Sequence, residues 1–129
     1  MSRIAGQSDL APAPAGPYSP SARIGNIVAG AGQAGTDAAG VLAEGVGPQT
    51  TQALANLLAS LAANGASSAD VISVRVFLTD PAQFDEMNAA YGAFFTEPYP
   101  ARTTVFVGLP PGLLVEIDAI AVLAGPVGA

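Results

Sequence analysis

From Val71 to Thr79 the chain alternates, with Ile72, Val74, Val76 and Leu78 on one side and Ser73, Arg75 and Phe77 on the other. Only an extended strand places every second side chain on one face, so this spacing predicts a strand with one buried side. A helical pattern flanks it on each side. Leu54, Leu57, Leu58 and Leu61 recur at i, i+3, i+4 and i+7, a single apolar stripe. Pro48 is expected at the first helical position, and Gly65 as the left-handed residue that closes the helix. Asp80-Pro81 reads as an N-cap followed by an N1 proline. The second helix then carries Phe84, Met87 (or Asn88), Tyr91, Phe94 and Phe95 on its inner stripe.

Short strands complete the pattern. Gly25-Asn26 divides Ser19–Ile24 from Ile27–Gly32 as a hairpin turn would. Two more strands, Arg102–Leu109 and Leu113–Leu123, are joined by the turn Pro110-Pro111-Gly112. The order β-β-α-β-α-β-β predicts an α+β sandwich with two helices on one face of a mixed sheet. With 129 residues the chain is one domain, 1–129. Its Ala- and Pro-rich start reads as an extended arm over residues 1–15 that ends near Gly16-Pro17, and 124–129 as a loose tail. Phe77, Phe106 and Ile120 place apolar side chains on the sheet face that the helices leave open. Only 11% of the residues are charged, where about 25% is usual. Both facts predict a homo-oligomer in which further copies cover that face.

The missing residue types narrow the chemistry. There is no cysteine and no histidine, and all four basic residues are arginines: Arg3, Arg23, Arg75 and Arg102. A lysine Schiff base, a Ser-His pair, a thiolate nucleophile and an ordinary zinc site are therefore excluded. No disulfide can form, so nothing signals an oxidising compartment. A net charge of −6 offers no basic surface to a phosphate backbone, so nucleic acid is not an expected partner. Met1 to Leu10 is polar, and no apolar run approaches the roughly 20 residues that cross a bilayer. The expectation is a soluble, cytoplasmic protein without membrane contact. Its chemistry is left to carboxylates, hydroxyls, arginine, backbone groups and water, with no cofactor.

Few residues stand out on their own. Arg102 begins a strand directly after Pro100-Ala101, where its planar fork suits either a structural salt bridge or a ligand carboxylate. Glu116 and Asp118, two apart on the last strand, emerge on the face opposite Val115, Ile117 and Ala119. A carboxylate among apolar strands needs a partner or a task, and Arg75 can serve one of the two. Tyr18, Gly30 and Gly32 are read from spacing alone as packing residues; the glycines also admit close approach of a ligand or another strand.

Taken in order, these residues resemble the RidA/YjgF family of reactive-intermediate deaminases. The marks run from about Ala13 to Leu123. They are Gly16-Pro17-Tyr18-Ser19, Gly32-Gln33, Val76-Phe77-Leu78-Thr79-Asp80, Asn88 with Tyr91 and Phe94-Phe95, Pro100-Ala101-Arg102-Thr103-Thr104, Leu109-Pro110, and Val115 to Ala121. The resemblance implies a homotrimer of chorismate-mutase-like fold with clefts between subunits. It implies hydrolysis of 2-imino acids and their enamine tautomers, such as 2-iminopropanoate and 2-iminobutanoate, to 2-keto acids and ammonia. Such species leak from pyridoxal-phosphate dehydratases acting on serine and threonine, so the implied role is control of metabolite damage.

The same resemblance assigns roles. Arg102 matches the arginine that clamps the substrate carboxylate, and Glu116 the acid that positions and deprotonates water. Tyr18, Gly32 and Asn88 match residues lining the cleft. Thr104 stands where the best-studied deaminases carry cysteine, which leaves the preferred substrate side chain open. Arg102 and Glu116 are expected from one strand pair, with a neighbouring chain closing the pocket. Two alternatives remain: a non-catalytic trimer that binds small carboxylates such as 2-keto acids, and a different hydrolase on the same scaffold. Ribonuclease activity, also associated with the family, sits poorly with the acidic charge and the absence of His and Lys.

Overall fold

The computed structural model describes residues 2–124. Six strands form one sheet: β1 (Ile4–Gly6), β2 (Ser21–Ile24), β3 (Ile27–Ala34), β4 (Val71–Leu78), β5 (Ala101–Phe106) and β6 (Val115–Val122), in the order β1-β2-β3-β6-β4-β5. Every pairing is antiparallel except β4 with β5, which is parallel, so the sheet is mixed. Two helices, α1 (Val46–Ala62) and α2 (Phe84–Phe94), cover one face. Val28, Val74, Val76, Leu78, Val115, Ile117 and Ala121 meet Leu54, Leu57, Leu61, Met87 and Tyr91 in the buried core. The expected α+β architecture is present, with one strand more. β1 arises inside the segment expected as an arm and pairs with β2. The expected tail lies outside the described residues beyond Ala124.

Local chemistry sets the boundaries. Gly25 (φ +58) followed by Asn26 at negative φ gives the two-residue hairpin loop of a II′ turn. The chain leaves α1 through Gly65 (φ +89), where Ala66 N–H donates to Leu61 C=O and Gly65 N–H to Ala62 C=O, the paired bonds of a Schellman closure. Asp80 caps the turn before α2 by accepting from Ala82 N–H at 2.9 Å. The first turn there, Pro81–Gln83, is a 3₁₀ turn rather than α-helix. Helix α1 starts at Val46, two residues earlier than Pro48 suggests, because Glu86 Oε2 of α2 accepts from Gly47 N–H and supplies a cap from outside.

Three expectations are corrected. Ile72 does not share the buried face of Val74, Val76 and Leu78. A bulge between Val71 and Ser73 turns Val71 inward and leaves Ile72 53% exposed. Phe106 pairs with Leu78, so it belongs to the helix side of edge strand β5 and not to the open face. Finally, β5 and β6 are not neighbours. The Pro110–Leu113 turn forms, with Leu113 N–H donating to Pro110 C=O and Gly112 at φ +86, but β4 lies between the two strands it connects. No helix among the described residues is long and apolar enough to cross a membrane.

Candidate active site

Arg102 lies on edge strand β5, in register with Val74, while Thr104 is in register with Val76. Both valines face the helices, so Arg102 and Thr104 do as well. On α2, Phe84 and Tyr91 are two turns apart and share a face. The Arg102 guanidinium sits 4.6 Å from the Tyr91 ring centroid and 5.8 Å from that of Phe84. Both distances are within cation–π range. The side-chain hydrogen bonds of arginine among the described residues belong to Arg23 and Arg75, and the ion pair there is Arg75–Asp118. Arg102 thus lies against aromatic rings, and its five N–H donors have no hydrogen-bond partner among the described residues.

Beside it opens a cavity of about 440 Å³ lined by Asn88, Tyr91, Gly92, Tyr99, Pro100 and Arg102. Met87, its alternative on the inner stripe, is fully buried; Asn88 is exposed on the cavity wall. The hydroxyls of Tyr91 and Thr104 and Oε1 of Gln83 are buried without partners. Burial raises the Tyr91 phenol above its ordinary pKa, partly opposed by the positive charge of Arg102. The phenol therefore stays protonated and neutral beside the cation. A half-buried guanidinium at a cavity mouth has the charge and planar donor fork that suit a small carboxylate.

Glu116 stands elsewhere. Its strand β6 turns Val115, Ile117 and Ala119 into the core, as the alternation predicts, and Glu116 and Asp118 onto the open face. Arg75 forks Asp118, Nε to Oδ1 at 2.9 Å and Nη2 to Oδ2 at 2.6 Å, which accounts for one carboxylate of the pair. Glu116 has no such partner among the described residues. Its side chain crosses Gly32, where an added Cβ would lie 2.9 Å from Oε2. Gly32 is thus a close-approach glycine serving Glu116. Gly30 serves helix packing instead, since a Cβ there would lie 2.6 Å from Leu57 Cδ1. A bulge between Gly30 and Gln33 sends the two glycines to opposite faces. Tyr18 is 49% exposed just before β2, where Pro20 C=O accepts from Ala31 N–H next to Gly32.

The candidate residues accordingly form two groups. Arg102, Thr104 and Asn88 belong to the α2–β5 side, and Gly32 and Glu116 to the β3–β6 side; Tyr18, just before β2, joins neither by contact among the described residues. The expectation that Arg102 and Glu116 come from one strand pair fails, because β4 separates their strands and they emerge on opposite faces of the sheet. The cause lies in β5, whose residues Ala101 to Phe106 have no clean apolar alternation to show which way Arg102 points. Reading residues in isolation also missed Phe84 and Tyr91 as the seat of the arginine, and Tyr99 and Gly92 as cavity wall. The seven-residue spacing of two aromatics, with an arginine following the helix, was the available signal.

A family model described as Endoribonuclease L-PSP matches residues 8–123. A RutC family protein of Pyrococcus horikoshii is 45% identical over 117 residues, 88% of this chain and 93% of that one. The 2-iminobutanoate/2-iminopropanoate deaminase of Salmonella typhimurium is 41% identical over 120 residues, 89% of this chain and 94% of that one. The crystal structure of RidA from an Antarctic Psychrobacter superimposes with a TM-score of 0.89 at 40% identity, covering 93% of this chain and 99% of the other.

Proposed function

This chain belongs to the Endoribonuclease L-PSP family, the RidA/YjgF proteins, and on that premise we propose that it hydrolyses 2-imino acids and their enamine tautomers to 2-keto acids and ammonia. The observation that carries this reading is the Arg102 guanidinium, 4.6 Å from the Tyr91 ring centroid and without a counter-ion among the described residues. The substrate carboxylate docks on that fork, which fixes the adjacent C=N carbon. Water adds to this carbon, its proton passes to Glu116, and a carbinolamine forms. Proton transfer to nitrogen then breaks the C–N bond, so that a keto group and ammonia result. An iminium carbon is electrophilic already, which is why carboxylate, arginine and water suffice.

Because Arg102 and Glu116 emerge on opposite sheet faces, one substrate meets both only if they come from different copies of the chain. We therefore place the site between subunits, with Arg102, Asn88 and Thr104 from one copy and Tyr18, Gly32 and Glu116 from its neighbour. The assembly is a homotrimer whose contacts bury the apolar open face, where Ile27, Ile72, Val105, Ile120 and Val122 are exposed in the single chain. A cytoplasmic location and a role in clearing reactive metabolites go with this reading.

The test generates 2-iminopropanoate with a dehydratase and follows its decay. The protein should accelerate the decay. Arg102→Ala should lower kcat/KM roughly 100-fold, about 2.7 kcal/mol of transition-state binding. Glu116→Gln should lower kcat by a similar factor with KM little changed. The second reading, a carboxylate binder without turnover, draws on the Arg102 group being complete within one chain. It predicts that 2-keto acids raise the melting temperature while imine decay stays at background.

A further inference from the structure

Gly92 lies in the last turn of α2, two residues short of its end, on the wall of the Arg102 cavity. A glycine inside a helix is destabilising relative to alanine, so its presence needs a cause. Backbone conformation does not provide one, since Gly92 is not among the glycines with positive φ. Packing does not either, because a Cβ built there meets nothing within 4 Å. The other helical glycine shows the contrast: at Gly47 an added Cβ would meet Glu86 Oε2 at 3.0 Å. At Gly92 neither backbone conformation nor a neighbour within the chain accounts for the glycine, and the open space beside it adjoins the cavity.

We infer that Gly92 sets the size of substrate side chain this protein accepts, by leaving room beside Arg102 for a long apolar group on the 2-imino acid. The inference rests on the deaminase reading. With the carboxylate on Arg102, the substrate side chain runs along the remaining wall, where Tyr91 and Tyr99 offer aromatic rings, Pro100 its pyrrolidine ring and Gly92 bare backbone. In the single chain, before a neighbouring copy closes it, the cavity measures about 440 Å³, and Gly92 adds no side chain to its wall. A side chain at position 92 would project into the space the substrate uses. Apolar pockets discriminate by about tenfold or more per methylene group that they admit or refuse.

The experiment uses the parent, Gly92→Ala and Gly92→Leu, with imines made in situ from alanine and leucine by an amino-acid oxidase. The ratio of kcat/KM for 4-methyl-2-iminopentanoate over 2-iminopropanoate should fall from parent to Ala to Leu, at least tenfold overall. The melting temperature of Gly92→Ala should rise, as helix propensity requires. An unchanged ratio across the three proteins overturns the inference. So does a change of subunit number in sedimentation, which would assign the space to a second copy. Calorimetric affinities for 4-methyl-2-oxopentanoate and 2-oxopropanoate separate this inference from the reading beneath it. If their ratio falls in the same order while no imine is hydrolysed, Gly92 keeps its role and the deaminase reading fails.

Discussion

Tyr91 joins stability to function more directly than any other side chain near the cavity. Its ring carries Arg102 at 4.6 Å, and its hydroxyl is buried with no acceptor among the described residues. An orphan buried hydroxyl costs about 1–3 kcal/mol, so Tyr91→Phe should not be destabilised at pH 8. The alkaline limb supplies the sharper prediction. The folded phenol titrates above the ordinary value of 10.0, so native protein holds a proton that the unfolded chain has released. That stability is complete below about pH 10 and is lost as pH rises through the folded value. In urea unfolding, the advantage of Tyr91→Phe over the parent should widen from pH 9 to pH 12. A constant or shrinking gap would show that the phenol is not desolvated by its surroundings. The ring survives this substitution, so carboxylate affinity at Arg102 should change little.

Between elements, buried polar side chains set the geometry of both groups. Gln49 on α1 is almost fully buried; its Nε2 donates to Ala43 C=O and Gly112 C=O, and its Oε1 accepts from Leu114 N–H. One side chain thus fixes the loop before α1 and the link from β5 to β6, the strands bearing Arg102 and Glu116. Gln49→Leu leaves three backbone groups unpaired and should cost roughly 3 kcal/mol or more, read as a lower urea midpoint with unchanged m. Midpoints within error of each other would mean that water reaches these groups. Such ties explain what the sequence could and could not show. Local signals were readable: Gly25-Asn26, the Asp80-Pro81 start, Gly65, and the alternation at Val115, Ile117 and Ala119. The bulge at Ile72 was not, because Val71 and Ile72 are both apolar and alternation alone does not say which of them turns inward. Strand order was not either. Whether β6 pairs with β5 or enters between β3 and β4 depends on long-range pairing, and the Pro110–Leu113 turn serves both arrangements. The side of the sheet on which Arg102 emerges was not legible either.

For the whole molecule, the decisive relation is between one chain's sheet faces. The helix face is closed by its own core, while the open face carries Ile27, Ile72, Val105, Ile120 and Val122 between 38% and 57% exposed. On the proposed reading, this apolar exposure, with Glu116 beside it, is the surface that meets another copy. Central to this account is that the arginine and the glutamate serving one substrate belong to different chains. Unfolding and refolding an equal mixture of Arg102→Ala and Glu116→Gln tests it directly, since each variant is expected to keep only about a hundredth of the activity alone but carries the group the other lacks. The account predicts recovery of about a quarter of the parental rate, the fraction of between-chain sites in which random assembly leaves both groups intact. A mixture no more active than its two components would place both groups in a single chain and contradict it.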